Sequence, residues 1–250
     1  METLMILTLE QHALKALPAL ENEAYDGWVL RRAKGFTRRT NSVNVLHKSH
    51  LPIEEKIRHC EDFYRREGQS CHFRLTPLAE ADTLDQELES RGYIKADPTD
   101  IRVRALSPGT ISAPSGPVRL ETSVTPAWRE AVARLTRQDD EEIEVFQKIL
   151  SASPMRPLCA SVERDGDIRA CGLAICDDSM MGLFEFATDP AYQRQGLGRD
   201  IVTGLLQAAA ASGVTTAYLQ VVAANPKGTA FWSSMGFDQT LYRYHYRSKP

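Results

Sequence analysis

The segment that most constrains the fold spans residues 187–206 and reads ATDPAYQRQGLGRDIVTGLL. The apolar run before it predicts a strand and the apolar periodicity after it predicts a helix, so a tight turn joins the two elements directly. Gly196 and Gly198 lack a Cβ, which lets the backbone of this turn approach a ligand closely. The unpaired N–H groups of the first helical turn then point at an anion, and Arg194 and Arg199 can add charge-assisted contacts. The segment therefore predicts a phosphate site.

The glycine turn is also compatible with two alternatives. A dinucleotide-binding fold shares the G-x-G pattern, but its third glycine would fall at Ile201 and no suitable ribose-binding acid follows the fourth predicted strand. A bare G-x-G turn also occurs where a loop merely starts a helix. The surrounding sequence separates these alternatives.

Gln193, three positions before Gly196, completes a Q/R-x-x-G-x-G/A pattern. Further on, NPKGTAFWSSMGF at 225–237 resembles N-x-x-A-x-x-L-Y-x-x-x-G-F. These two motifs, at the usual separation and in the usual element order, resemble the GNAT acetyltransferase family over about 130 residues, 118–247. The resemblance implies an α/β fold (α+β mixed sheet) in which a mostly antiparallel, twisted sheet is flanked by helices.

A chain of 250 residues favours two domains. Residues 105–117 read ALSPGTISAPSGP, a composition typical of a linker. We therefore predict a GNAT-like domain at 1–104, the linker at 105–117 and an acetyltransferase domain at 118–250. In the last of these, the pattern predicts a strand, two helices, three strands, a helix, a strand, a helix and a final strand.

An internal repeat links the two halves. In each, a helix ending at a glycine is followed by a strand and a second helix ending at a glycine; in the first half these elements are predicted at 53–68, 72–76 and 83–90. The interval from Gly68 to Gly92 is 24 positions, and that from Gly213 to Gly236 is 23. The spacing predicts two tandem copies of one fold.

The first copy is predicted to be degenerate because it lacks the phosphate motif. Its segment GWVLRRAKGFTRRTNSVNVL resembles the leading domain of some tandem GNAT proteins. We expect this copy to shape the acceptor site and to bind no second coenzyme.

The resemblance implies acetyl-CoA as co-substrate and suggests where it lies. The pantetheine arm would pair with the strand edge at Phe186, Ala187 and Thr188, where a main-chain N–H would also polarise the thioester carbonyl. Asn225 matches the family asparagine that approaches the coenzyme. The pyrophosphate would lie on Gln193, Arg194, Gln195, Gly196, Leu197, Gly198 and Arg199.

The implied chemistry is direct attack of a neutral amine on the acyl thioester in a ternary complex, which requires a proton acceptor. Glu185 is the predicted base. An acid among apolar neighbours is either a base with a raised pKa or a charge at a solvent-facing strand surface, and the sequence is compatible with both. Many relatives have Glu where this chain has Gln220. The amide of Gln220 can hold a water or a substrate amide, or have a structural role alone.

Trp232 aligns with the family tyrosine that protonates the leaving thiolate. Indole is not a usable acid, so either the thiolate leaves unassisted or Ser233, Tyr242 or Tyr244 supplies the proton. Trp232 is alternatively a packing residue, a role compatible with lining the coenzyme sulfur.

These features favour an acetyl-CoA-dependent N-acetyltransferase acting on a primary amine. The alternative is a catalytically inactive acyl-CoA-binding regulatory or scaffold protein, since positions 220 and 232 both depart from the family pattern. The acceptor amine is not identified by any motif.

The net charge of −3 is unremarkable, so no nucleic-acid or membrane partner is expected. No apolar run approaches the roughly 20 residues that span a bilayer, and Glu10 follows a start without a basic region, so a cytoplasmic location is expected. The oligomeric state is open; internal pairing of the halves favours a monomer.

The remaining reactive or charged residues are predicted to be structural. The five cysteines lack C-x-x-C spacing and are expected to be buried free thiols, and the six histidines lack metal-ligand spacing, so no metal is expected. The pairs Arg31-Arg32 and Arg38-Arg39 are predicted to be strand-edge charges; alternatively they line the entrance of an acidic acceptor.

Overall fold

The computed structural model describes residues 2–78 and 81–249. The sequence predicts three elements of the first half, at 53–68, 72–76 and 83–90, and the structure contains all three. The first half also contains elements that the sequence does not predict. Its elements are α1 (Glu2–Ala16), β1 (Glu21–Tyr25), β2 (Trp28–Arg32), β3 (Val43–Val45), α2 (Ile53–Arg65), β4 (His72–Leu75), α3 (Ala81–Ser90) and β5 (Ile94–Ala105).

The second half follows the predicted order from its first strand to its last. Its elements are β6 (Arg119–Glu121), α4 (Pro126–Thr136), α5 (Asp140–Ala152), β7 (Arg156–Arg164), β8 (Asp167–Cys176), β9 (Met180–Thr188), α6 (Leu197–Ala211), β10 (Thr216–Val222), α7 (Pro226–Ser234) and β11 (Gln239–Ser248). Two short 3₁₀ turns, Arg38–Thr40 and Pro190–Tyr192, lie in loops.

The eleven strands within residues 2–78 and 81–249 form one mixed sheet in the order β1-β2-β3-β4-β11-β5-β10-β9-β8-β7-β6. The pairings of β1 to β4 repeat those of β7 to β10: two antiparallel pairs are followed by one parallel pair. A pseudo-twofold relation therefore exchanges the halves, as the repeat of helices and glycines predicts. The predicted linker, 105–117, begins at the last residue of β5 and otherwise lies between β5 and β6, and the domain boundaries at 104 and 118 stay predictions.

The two halves exchange their last strands. β11 pairs antiparallel with β4, and β5 pairs antiparallel with β10, so each closing strand extends the sheet of the other half. β5 and β11 also pair with each other at the centre, from Val103 opposite Gln239 to Ile94 opposite Ser248. The sheet is thus continuous across both halves.

Local turn chemistry explains several element ends. The β1–β2 and β7–β8 hairpins both turn through Asp-Gly, with positive φ at Asp26, Gly27, Asp165 and Gly166, as two-residue hairpins require. The four glycines of the internal repeat, at 68, 92, 213 and 236, also have positive φ, between 66° and 95°. In addition, α5 begins with a capping box formed by Asp139 and Glu142.

Buried apolar side chains lie on both faces of the sheet. One cluster, around Trp28 and Phe73, fills the first half, and another, around Ile201 and Leu219, lies between α6 and the strands of the second half. A third cluster joins α1, α4 and α5 to the sheet and includes Leu9. Since α1 belongs to the first half and contacts β9 of the second, this layer covers the region where the functional site is expected.

Candidate functional site

The parallel strands β9 and β10 separate part-way along their length. Met180 to Leu183 pair with Thr216 to Leu219, and the pairing stops there. Beyond that point β9 stays paired with β8, with Ala187 opposite Cys171 and Thr188 opposite Ala170. The β10-facing edge of β9 is therefore open at Phe186, Ala187 and Thr188, which is where the pantetheine arm is predicted to bind. We call this opening the β9–β10 cleft.

A β-bulge begins where the strands separate. Glu185 and Phe186 together oppose the single residue Gly172 of β8, and Glu185 has φ 51°. A left-handed conformation costs about 1–2 kcal/mol for a residue with a Cβ. Gly172 allows this arrangement, because a Cβ there would lie 2.7 Å from the ring of Phe186. The bulge reorients the Glu185 side chain, which is 13% exposed.

The predicted phosphate turn connects β9 to α6. Gly196 is the N-cap of α6 with φ 88°, and Arg194 also has a positive φ, of 63°. The N–H groups of the first helical turn, which begins at Leu197, have no intrahelical acceptor, apart from that of Asp200, which donates to Gly196 O at 3.0 Å. Gln193, Arg194, Gln195, Gly196 and Arg199 are exposed, so the turn is open to an anionic ligand.

Helix α7 approaches this turn from the other side. A Cβ at Gly198 would lie 3.6 Å from the ring of Phe231 on α7 and 3.7 Å from Thr188 Oγ1 on β9. The indole of Trp232 lies edge-on to Phe186, with ring centroids 5.0 Å apart. The structure therefore brings the predicted pantetheine strand, the phosphate turn and α7 together.

Asn225 caps α7. Its Oδ1 accepts a hydrogen bond from the backbone N–H of Gly228 at 2.9 Å. The side chain is exposed at the end of β10, and its oxygen already has a helix-capping role. Its predicted approach to the coenzyme stays a prediction.

The carboxylate of Glu185 contacts a residue from the other half of the chain. Oε1 lies 3.2 Å from Nη2 of Arg39, whose side chain is 34% exposed. Arg39 belongs to the 3₁₀ turn Arg38–Thr40 between β2 and β3. Of the two alternatives for Glu185, a solvent-facing charge at a strand surface does not describe this half-enclosed, paired carboxylate.

Gln220 lies on the β10 side of the same region, one residue beyond the last β9–β10 pair. Its Oε1 accepts a hydrogen bond from the hydroxyl of Tyr244 at 2.7 Å. Gln220 and Arg39 also line a small cavity of about 10 Å³ beneath α1, together with Glu10, Arg31, Asn44, Arg74 and Phe184. That volume is close to what one water molecule requires.

The three residues considered as acids lie in different surroundings. Tyr242 is buried and donates to Glu10, and burial raises its pKa well above the usual value. Ser233 accepts a hydrogen bond from Arg102 at 2.8 Å. Tyr244 donates a hydrogen bond to a residue predicted for catalysis, Gln220.

The counterpart of the phosphate turn in the first half is filled by the chain itself. This counterpart joins β3 to α2, and its backbone N–H groups at His50 and Leu51 both donate to the carboxylate of Asp26 at 2.9 Å. Lys56 lies 3.2 Å from the same carboxylate. The hydrogen bond from Leu51, with those from His50 and Lys56, lowers the pKa of Asp26 well below its usual value. An internal anion thus occupies the place of a ligand.

The cysteines have the predicted surroundings, whereas Arg31 does not. All five cysteines are buried and unpaired, as expected. Arg31 is not a strand-edge charge: it is 2% exposed and donates to the main-chain carbonyls of Arg39 and Leu14, and burial lowers its pKa to about 10. The alternation of strand side chains places it inward, beneath α1.

Potential metal ligands do not cluster in the part of the chain that the structure describes. Within 2–78 and 81–249, no group of three or more His, Cys, Asp or Glu side chains has an arrangement suited to a metal ion. No helix among those residues is long and apolar enough to cross a bilayer.

The contact between Arg39 and Glu185 has no signal in the sequence. The basic pair at 38–39 is visible there, but neither apolar periodicity nor motif spacing relates two side chains 146 positions apart. The Asp-Gly turn at 26–27 is a visible signal for a hairpin, yet nothing in it indicates that Asp26 reaches the next loop.

The sequence of the chain is similar to those of known acetyltransferases. The family described as "Probable histone acetyltransferase Rv0428c C-terminal" matches residues 3–247. The uncharacterized N-acetyltransferase YobR of Bacillus subtilis is 23% identical over 248 residues, 98% of each chain. A 64-residue segment is 42% identical to the [ribosomal protein bS18]-alanine N-acetyltransferase of Escherichia coli K12, covering 26% of this chain and 43% of that protein. The chain thus spans less than half the length of that relative.

Solved structures share the fold across most of the chain. A GCN5-related N-acetyltransferase from Kribbella flavida superposes with a TM-score of 0.71 at 15% identity, covering 98% of this chain and 95% of the other. A tandem GNAT protein from the clavulanic acid biosynthesis pathway has a TM-score of 0.64 at 12% identity, over 83% of this chain and 74% of the other. Because the family match spans nearly all of its residues, the chain belongs to the Rv0428c C-terminal family of GNAT N-acetyltransferases, a family of acyltransferases.

Proposed function

We propose that this protein is an acetyl-CoA-dependent N-acetyltransferase that moves an acetyl group to a primary amine by direct attack in a ternary complex. The observation that supports this most strongly is the β9–β10 cleft, where the open edge of β9 leads into the glycine turn of α6. An extended thioester arm and its pyrophosphate need these two surfaces in this order.

Acetyl-CoA would bind with its pantetheine arm along Phe186, Ala187 and Thr188 and its pyrophosphate on the turn at 193–199. The free N–H groups of that turn can satisfy phosphate oxygens, and the helix dipole of α6 favours the negative charge. The exposed guanidinium groups of Arg194 and Arg199 are available to the outer phosphate oxygens. No metal is part of this proposal.

Glu185 would accept the proton of the attacking amine, directly or through a water. Its carboxylate lies on the bulge next to the strand that would hold the thioester, so base and electrophile are neighbours. Gln220, held by Tyr244, would orient a water or the acceptor on the opposite side of the cleft. Holding the two reactants together supplies much of the rate in aminolysis of a thioester.

The acceptor is proposed to be an amine whose identity the first half helps to select. Arg39 of that half reaches the cleft, so the acceptor would meet residues of both halves. The relative named for a ribosomal protein matches only a 64-residue segment, and the histone acetyltransferase name belongs to the family description. Neither name identifies the acceptor of this chain. The matches to proteins named as N-acetyltransferases favour catalysis over the inactive coenzyme-binding alternative.

The test is release of free thiol from acetyl-CoA in the presence of a panel of amines: polyamines, amino sugars, peptides with free N-termini and lysine-containing peptides. We expect thiol release that depends on both acetyl-CoA and one class of amine, with the acetylated amine identified by mass spectrometry. Tight acetyl-CoA binding by calorimetry without turnover on any amine would instead support the alternative of a catalytically inactive acyl-CoA-binding protein. Absence of acetyl-CoA binding would contradict both.

A further inference from the structure

Arg39 lies in a loop, residues 33–41, whose conformation is fixed by one buried amide. Asn41 is 4% exposed, and its Oδ1 accepts from the N–H groups of Ala33 at 2.7 Å and Gly35 at 2.9 Å. Its Nδ2 donates to Thr37 O at 2.7 Å. A single side chain therefore closes the loop on itself, and buried hydrogen bonds of this kind hold backbone geometry firmly. We call this segment the Arg39 loop.

The Arg39 loop is also fixed to both halves of the protein. The buried guanidinium of Arg31 donates to the carbonyl of Arg39 at 2.6 Å. On the other side, the ring of Phe36 stacks on Phe146 of α5, with centroids 5.5 Å apart and planes at 23°. The loop of the first half is thereby docked onto a helix of the second, and the Arg39 side chain is presented to the β9–β10 cleft.

The carboxylate of Glu185 contacts this loop through Arg39. Its left-handed backbone directs the carboxylate away from the regular strand surface. Across the described residues, the side chain that hydrogen-bonds to this carboxylate is that of Arg39. A partly exposed ion pair adds little to stability, so the contact matters more for where the carboxylate points than for how stable the fold is.

We propose that Arg39 is a positioning residue, supplied by the degenerate first half, that holds the Glu185 carboxylate in place at the β9–β10 cleft. The inference rests on the proposed function, because it assigns Arg39 a role in the acetyl transfer there. It gives the first half a direct part in the chemistry, since the base of one half is oriented by a cation of the other. Arg39 itself transfers no proton.

A double-mutant cycle with Glu185 tests this proposal. Four proteins are compared, the wild type, Arg39→Gln, Glu185→Gln and the double variant, by thiol release with the best amine of the panel. Because small misplacements of a catalytic group have large effects, Arg39→Gln is expected to lower kcat about 10- to 100-fold in the wild-type background. In the Glu185→Gln background the same change should alter kcat less than about twofold, since the group it positions is already gone.

Two comparisons separate positioning from general damage. Arg38→Gln is the matched control: Arg38 lies in the same 3₁₀ turn and pairs with Asp97 instead, so its loss should leave kcat near the wild-type value. Arg39→Lys should recover part of the lost kcat. The Kd of acetyl-CoA, measured by calorimetry, should be the same for Arg39→Gln and the wild type.

The possible results distinguish failure of the positioning role from failure of the proposed function. Equal losses from Arg39→Gln in both Glu185 backgrounds, or a loss confined to coenzyme affinity, would show a structural role and overturn the positioning role alone. A loss of kcat in Arg38→Gln equal to that in Arg39→Gln would also overturn the positioning role. Absence of turnover in the wild type with every amine would overturn the proposed function and the positioning role together.

Discussion

The indole of Trp232 lies edge-on to the phenyl ring of Phe186, with centroids 5.0 Å apart and planes at 86°. Phe231 and Phe237 also contact this indole, so Trp232 is the centre of an aromatic group beneath the coenzyme-facing strand. Because Phe186 is a predicted pantetheine residue, packing and coenzyme contact are compatible for Trp232. Neither role requires an acid.

Trp232→Phe is therefore expected to keep kcat within about threefold of the wild type, since a packing role needs only a ring of similar shape. Trp232→Ala should lower the free energy of unfolding by roughly 2 kcal/mol, less than the loss for a fully buried tryptophan. Thiol-release kinetics and urea denaturation check the two expectations. A loss of kcat above about 100-fold in Trp232→Phe, with coenzyme affinity intact, would show that the indole N–H acts in the chemistry.

Glu185→Gln is expected to lower kcat by about 10²- to 10⁴-fold, the usual contribution of a general base. In the wild type, the rate should fall toward acid pH as the base becomes protonated. The measurement is a pH–rate profile with an amine that stays neutral over the whole range, so that titration of the acceptor does not contribute. If Glu185→Gln keeps the acidic limb of that profile, another group is the base.

Gly196→Asp should abolish acetyl-CoA binding, because a Cβ strains a residue with φ 88° and a carboxylate repels the pyrophosphate. Gly196→Ala separates the two effects: it introduces the same backbone strain, of about 1–2 kcal/mol, without the charge. Isothermal calorimetry should show weakened but measurable binding for Gly196→Ala and none for Gly196→Asp. Unchanged affinity in Gly196→Asp would place the coenzyme elsewhere.

One acetyl-CoA is expected per chain, since the carboxylate of Asp26 occupies the counterpart turn in the first half. Calorimetry gives this stoichiometry directly. Asp26→Ala removes the anion from the N–H groups of His50 and Leu51 and should lower Tm. Because sulfate can accept hydrogen bonds from these N–H groups, it should restore part of the lost Tm better than chloride at equal ionic strength. Two coenzymes per wild-type chain, or equal effects of the two salts, would contradict an internal anion in this turn.

His12 should make the protein less stable in mild acid. Its ring is buried, with Nδ1 2.9 Å from the Tyr218 hydroxyl, and burial lowers its pKa below 6.5 despite the opposing effect of Asp177. Between the folded and unfolded pKa values the unfolded chain binds more protons. The stabilisation is therefore fully present above about pH 6.5 and is lost as pH falls toward the folded pKa.

The check is the free energy of unfolding by urea at several pH values from 7 down to about 5, a window chosen to lie above the titration of most carboxylates. His12→Gln should flatten the slope in this window. His72, whose pKa is also lowered by burial, is expected to contribute in the same direction, so the variant that combines His12→Gln with His72→Gln should have a flatter slope still. An unchanged slope in His12→Gln would show that folding does not lower the pKa of His12.

Much of the second half can be predicted from its sequence because its signals are local. Glycines that need positive φ, an Asp-Gly hairpin turn and the apolar periodicity of α6 each act within a few residues. The phosphate turn is recognisable for the same reason. The first half has fewer such signals, and α1 and the short strand β3 are not among the predicted elements.

The relationships that the sequence does not predict are those between distant residues. Nothing in the local sequence of β5 reveals that β10 and β11 are its neighbours. Likewise, two adjacent arginines look alike in the sequence, although Arg38 pairs with Asp97 and Arg39 with Glu185. Which arginine serves the cleft depends on the fold of the Arg39 loop.

The exchange of β5 and β11 also has a consequence for how the protein is made. β5 ends at Ala105 and β11 begins at Gln239, so the ribosome must add residues 106–238 before the strand that fits between β4 and β5 exists. During that time the nascent first half presents strand edges that attract other chains. We expect the newly made first half to rely on chaperones, and the protein to reach its native state only after β11 has left the exit tunnel.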